Sequence, residues 1–558
     1  MSNPKKSSFT GARLVAGLLL AGALVARFAY IWGPPHGWDE RYVVLHALRF
    51  GTGDLNPRHF DWPASPFYYL TFAFYGIQFV AGYLLGVYPD GQTFAVGALV
   101  RPEEYYIVPR LLSAVFGVAT AWALWRGLRA WLGTVPAALA AFFVLITPGH
   151  IALSRFGTSD VAMLFFLTLA MLLSLEVVRD RRAERRDFVK GGLWIGLATA
   201  MKYPGVLSSL SLAGAHASTR PASRFRWLLL AAACSVATFF VVTPFALLDY
   251  RTFIGDLGFM TGHHFGSPAG GTTLTARFHR IQSLTGEAVG LPLLMVALVG
   301  LGTALARWRT YAPVWSTVAP VALSLVLGLA VTRQRFFHYA VPLVPELAVF
   351  VAVGWHAVVN DTSLRRLRVP FGAGLAVAAT LALWPAIHKA WMSSHPTTES
   401  AAVAWALAHT SESDAIATDE LLMILPTDAA IRREIDEARV LGHTGRVDYW
   451  QSMARLLSGV TTFPRRDTQV VYVVDPVEGY LDRLIQARVK FYICNEAIAA
   501  RGARRSEDKP ADERSRYYAD LRSRGRLEAR FDSRDGILQG VPFAVYRLPS
   551  TVGEEPTH

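Results

Sequence analysis

Apolar runs of about 17–22 residues, each long enough to cross a ~30 Å hydrocarbon core, recur from Leu14 to about Ile387. Short polar stretches rich in Lys and Arg separate them. After Trp391 the apolar stretches shorten and charge rises. This pattern predicts a mainly α polytopic transmembrane domain over residues 1–392 and a soluble α/β domain over residues 393–558. In the second region, helix-like segments 399–408, 481–488 and 514–523 alternate with strand-like segments 415–418, 469–475, 491–494 and 543–548.

Cytoplasmic loops collect Lys and Arg. Spans placed near 14–32, 107–125, 134–150, 161–178, 191–201, 204–217, 227–248, 284–305, up to 331, 341–359 and 370–390 give eleven crossings. With the N-terminus cytoplasmic, the basic clusters at Lys5–Arg13, Arg126–Arg129, Arg179–Lys190, Arg220–Arg226, Arg307–Arg309 and Arg365–Arg368 all share one side. Asp39, Glu40, Asp160, the 249–283 loop, the 333–339 segment and the C-terminal domain fall on the other. The scheme requires Phe67–Gly86, with its early aromatics, to lie in the interface and not to cross. The first span is read as retained and not as a cleaved signal peptide.

Composition agrees with a membrane protein. Of 558 residues 52% are hydrophobic and 17% charged, where a soluble chain carries about 25% charged. A net charge of +13 would suggest a nucleic-acid partner in a soluble protein. Here the cations cluster between spans, so topology accounts for them and no nucleic acid is expected. Cys234 and Cys494 fall in different compartments of this scheme and should not pair. No metal-thiolate spacing, P-loop, dinucleotide fingerprint or internal repeat is present.

Candidate chemistry collects at the mouths of helices on the non-cytoplasmic side. Ionisable groups are costly in a bilayer, which makes such acids functional candidates. Asp39 and Glu40 follow His36-Gly-Trp38. One of them suits a general base acting on an acceptor hydroxyl or amine; helix capping is the plainer reading of the same residues. Asp160 opens the fourth span, again as a base-type carboxylate or an N-cap, in a stretch with His150, Ser154 and Arg155. Arg155 offers a fork for phosphate or carboxylate. His59, Asp61 and nearby aromatics read as a substrate-facing wall or as ordinary interface residues. Lys202 interrupts two apolar half-helices, and Arg333, Arg335 and Tyr339 lie between spans nine and ten. These cations suit a carrier phosphate, or else snorkel and anchor. The 249–283 loop, with His263, His264 and His279, is long enough to close over a site.

Taken in order, Trp38-Asp39-Glu40, Pro63 to Tyr69, Pro109 to Ser113, Ser154 to Asp160, Gly196 to Lys202 and Arg335 to Pro345 resemble the GT-C glycosyltransferases. The likeness is greatest to the dolichyl-phosphate-mannose protein mannosyltransferase and aminoarabinose transferase group, and it covers about residues 10–390. It implies a lipid-linked sugar donor, transfer with inversion on the outer face, and catalytic positions at Asp39, Glu40 and Asp160. Lys202 and an arginine of the pair Arg333 and Arg335 would face the donor phosphate, while the residues themselves assign His59, Asp61, Arg155 and Tyr339 to the substrates. Two departures stand out. Pro63-Ala-Ser-Pro66 replaces the family's Pro-Pro-Leu, and Asp160 is followed by Val161 and Ala162, not by the Asp-x-Glu that holds a metal in the oligosaccharyltransferase branch. No cofactor is therefore expected, a divalent metal included.

The expectation is an inverting glycosyltransferase in a bacterial inner membrane, acting on a protein, lipid or glycan acceptor. The rival is a transporter or flippase of a lipid-linked sugar. A transporter would hold its ionisable residues near mid-bilayer at a repeat interface; this chain puts them at helix mouths on one side.

Overall fold

The computed structural model describes residues 17–29, 31–33, 38–219, 225–265, 273–332, 335–392, 395–419, 424–440, 444–461, 463–471, 479–503, 513–533, 538 and 540–551. Within them, six helices are long and apolar enough to cross a membrane: Glu103–Leu132, Asp160–Asp180, Phe225–Val242, Ala312–Val331, Phe337–Asn360 and Arg365–Met392. Two bent pairs, Thr134–Ile146 with Pro148–Ser154 and Leu274–Val289 with Leu291–Ala306, raise the count to eight. The sequence pattern gave eleven. Part of the difference lies in runs that fold as shorter helices, Gly17–Phe28 and Ser209–Thr219 among them. The helix Ser65–Leu84, expected at the interface, is not among the six.

The chain separates into two compact units. The first holds His36–Ile77 and Tyr106–Trp391 together with the opening helix. Its largest core cluster is mainly aliphatic, with Phe143, Val161, Leu293, Val344 and Val349 among the fully buried side chains. Helix Arg185–Met201 packs on helix Phe225–Val242 at very close range. Gly192 and Gly196 make this possible, since a Cβ on either would collide with the backbone oxygen of Ala231 or Ser235. Small residues four apart let helix backbones approach in this way.

The sequence read 249–283 as a flexible loop. Its described residues instead form helix Tyr250–Phe265 and most of helix Leu274–Val289. The span expected at 284–305 is broken by 106° at Gly290, whose φ of 83° followed by Pro292 stops one helix and starts the next.

The second unit comprises Met392 onward with Gln78–Tyr105. Its sheet contains β1 (Ala415–Thr418), β2 (Leu425–Pro426), β3 (Arg465–Val470), β4 (Val489–Asn495), β5 (Arg526–Phe531) and β6 (Phe543–Arg547). The order is β2-β3-β1-β4-β6-β5, parallel from β2 to β4 and antiparallel beyond. The alternation read from the sequence is present, although helices Asp428–Val440 and Thr444–Leu457 and strand β5 were not read. The insert brings helix Gly91–Val100, capped by Asp90, whose Val96 joins Ile431, Trp450 and Val470 in one apolar cluster.

Candidate active site

The first unit gathers acids and cations from four stretches far apart in sequence. Asp39 sits in the first turn of helix Trp38–Arg49 and is half-buried. Asp160 is the first residue of helix Asp160–Asp180 and is buried. Helix Arg185–Met201 ends at Lys202, which is extended (φ −161°, ψ 138°) ahead of a 3-10 turn at Tyr203–Ser208. That break aims Lys202 Nζ at Asp160 Oδ1, 2.7 Å away, while Thr158 donates to Oδ2 at 3.0 Å. Asp39 feels the charge of both Lys202 and Asp160. His338 and Tyr339, at the start of Phe337–Asn360, lie within electrostatic reach of Asp160 as well.

Burial lifts the Asp39 carboxyl above its ordinary range; Lys202 draws it back and Asp160 pushes it further up. A raised carboxyl is a stronger base once ionised. Asp39 and Asp160 are thus set apart by environment: Asp160 carries the ion pair, and Asp39 has no bonded cation among the described residues.

Glu40, beside Asp39, points elsewhere. It is wholly buried in a two-point ion pair with Arg110, at 2.6 Å to Nε and 2.7 Å to Nη2. Arg110 also donates to the Ile31 carbonyl at 2.8 Å, and Glu40 Oε1 accepts from the Gly157 amide at 2.9 Å. Gly157 is crowded between Pro109 and Glu40, with no room for a Cβ, and Ser113 donates to the Thr158 carbonyl. The Pro109–Ser113 motif therefore fixes both acidic loops against one helix. Arg155 donates to the carbonyls of Ala26, Ala29 and Ala390.

His59 and Asp61 form a neighbouring group with Tyr42, His46, Trp62 and Tyr68. His59 stacks on Tyr42 (5.1 Å, 0°) and meets Trp62 edge-on at 4.7 Å. Burial holds the His59 imidazole down to about 4 and, with Asp256 beside it, pushes Asp61 up to about 6. Tyr339 Oη is 3.4 Å from His264 Nδ1. Arg335 is exposed; Arg333, His36 and the side chains of Trp38 and His263 lie outside the described residues.

A buried cation beside this site escaped the sequence reading. Arg280, on helix Leu274–Val289, is 4% exposed. Its Nη1 donates to the carbonyls of Thr332 (2.8 Å) and Ala330 (3.4 Å), whereas Nε and Nη2 have no partner among the described residues. This helix packs against the Phe337–Tyr339 turn. The signal was available as spacing: Arg280, Leu284 and Ala288 recur every fourth residue on the buried face.

Residues 104–246 match the family model for dolichyl-phosphate-mannose-protein mannosyltransferase. Two solved structures of ArnT from Cupriavidus metallidurans, one apo and one bound to undecaprenyl phosphate, are similar in fold. Each is 15% identical and covers 98% of this chain and 99% of its own, with TM-scores of 0.53 and 0.51. The chain has the GT-C fold. The matching family segment, set within that fold, supports a membrane glycosyltransferase. The structural likeness extends past the matched segment to nearly the whole chain, C-terminal unit included. No curated protein matches it by sequence.

Proposed function

We propose that this chain transfers a sugar from a polyprenyl-phosphate donor to an acceptor hydroxyl or amine on the outer face of the membrane, inverting the anomeric centre. Asp39 takes the proton as the acceptor atom bonds to sugar C1; the C1–O bond to phosphate breaks and its electron pair leaves with the polyprenyl phosphate. Phosphate is a good leaving group, so positioning and charge stabilisation supply most of the catalysis. The observation that carries this reading is the gathering of half-buried, raised Asp39 with the Asp160–Lys202 pair.

Arg280 takes the donor phosphate in this scheme. A buried guanidinium with two open nitrogens and, among the described residues, no bonded carboxylate calls for an anion, and a phosphate fits its fork. Lys202, held by Asp160, supplies a second positive charge. Glu40 serves as a strut that holds Asp39 in place, and Arg155 ties the second acidic loop to the opening helix. ArnT's bound undecaprenyl phosphate supports the donor class by likeness of fold.

The distribution of Lys and Arg supports eleven crossings in a bacterial inner membrane, with the N-terminus cytoplasmic and the C-terminal unit outside. The test is transfer of label from polyprenyl-phosphate sugars by membranes carrying wild type or Arg280→Met. The variant should raise the donor KM tenfold or more; an unchanged donor KM removes Arg280 from the phosphate site.

A further inference from the structure

His59, Asp61 and Asp256 each present one ligand-type atom, all within 4.8 Å of one another. Donors about 2.1 Å from a tetrahedral zinc stand about 3.4 Å apart, so small side-chain rotations would close the set on an ion. His59 and Asp61 come from the segment between helices Trp38–Arg49 and Ser65–Leu84; Asp256 comes from helix Tyr250–Phe265. Nothing in the sequence links them, and they meet through tertiary structure alone.

Three observations point to a ligand. First, His59 Nε2 is enclosed and has no partner among the described residues, while stacking on Tyr42 and the edge contact with Trp62 fix the ring. Second, two carboxylates face each other, and among the described residues neither Asp61 nor Asp256 has an ion pair. Asp256 accepts only the Phe60 amide, at 2.6 Å. Third, the two segments are clamped independently of these groups. Asn56 donates to Asp249 at 2.8 Å, Tyr203 donates to the Phe60 carbonyl at 2.7 Å, and Phe60 meets Phe253 edge-on at 5.7 Å. The cluster is therefore preorganised, and its like charges lack the counter-charge a closed structural network would contain.

We propose that His59, Asp61 and Asp256 bind one divalent transition-metal ion, zinc foremost, which fastens the first outer segment to helix Tyr250–Phe265. One imidazole and two carboxylates suit zinc, with the fourth position open to water. Asp39 and Asp160 are not among the ligands, so the ion supports the site and does not take part in proton transfer. Through His59 it would also set the stack of Tyr42 and Trp62.

The test uses the full chain in detergent, stripped with chelator and titrated with zinc against a chromophoric competitor. Wild type should take up one equivalent and show a raised thermal midpoint. His59→Gln and Asp256→Asn should each weaken binding at least tenfold and lose the thermal shift. X-ray absorption on the zinc-loaded wild type should show one nitrogen and two carboxylate donors, a readout that needs no variant to fold. Absence of stoichiometric zinc in wild type, a donor set with more than one histidine, or undiminished binding in both variants overturns the proposal; in the first case the carboxyls simply share a proton.

Discussion

Lys202 Nζ stands 2.7 Å from Asp160 Oδ1 at the point where helix Arg185–Met201 gives way to a 3-10 turn. The pair is largely enclosed, with side-chain exposures of 18% and 11%. Removing one partner of such a pair leaves a poorly solvated charge behind. Lys202→Met and Asp160→Asn should each lower stability by about 2–4 kcal/mol, while the double variant should lose less than the sum. Thermal unfolding in detergent as a double-mutant cycle measures this coupling, and additive losses would contradict it.

Glu40 and Asp39 are neighbours with opposite assignments. Glu40→Gln breaks a fully buried bidentate pair with Arg110 and should cost about 3–5 kcal/mol. Asp39→Asn should leave the thermal midpoint nearly unchanged and remove transfer. Comparable destabilisation by both substitutions would sink the division of roles.

Asp39 has a raised carboxyl pKa because of burial, moderated by Lys202. The base works only when ionised, so kcat/KM should rise with pH and be lost as pH falls through a midpoint above the usual ~4 of aspartate. Removing Lys202 removes the charge that lowers the value, so Lys202→Met should move that midpoint further up. A pH–rate profile of both proteins checks the sign; a downward move would contradict it.

Gly196 admits the Ser235 backbone with no space for a side chain. Gly196→Leu should separate helices Arg185–Met201 and Phe225–Val242, displace Lys202, and lower stability by about 2–4 kcal/mol. Gly255, which has open space around its Cβ position, is the control: Gly255→Ala should be tolerated in the same unfolding assay.

The candidate site was legible wherever chemistry interrupts an apolar pattern. Asp39 and Asp160 mark helix starts, and Lys202 marks a broken helix; all three come together in one unit. What stayed hidden depended on tertiary structure. Glu40 is 70 residues from Arg110, so the sequence alone gave no sign that a motif quoted for its family likeness carries the counter-charge of one candidate base. Arg155 read as an anion fork because its carbonyl partners, 126 and 129 residues away, leave no mark in local sequence. Arg280 was lost because its helix was taken for a loop, where an every-fourth-residue spacing has no meaning. Eleven crossings were read from apolar runs, and the described residues form six helices long enough to cross, or eight with the bent pairs, because several of those runs fold there as shorter helices.

The most direct test of the account is transfer of label from a panel of polyprenyl-phosphate sugars by membranes containing wild type or Asp39→Asn at equal expression. Wild type should label an acceptor from at least one donor, and the variant should be slower by a hundredfold or more. Equal transfer by both proteins would contradict Asp39 as the base, and no transfer from any donor would contradict the donor class itself.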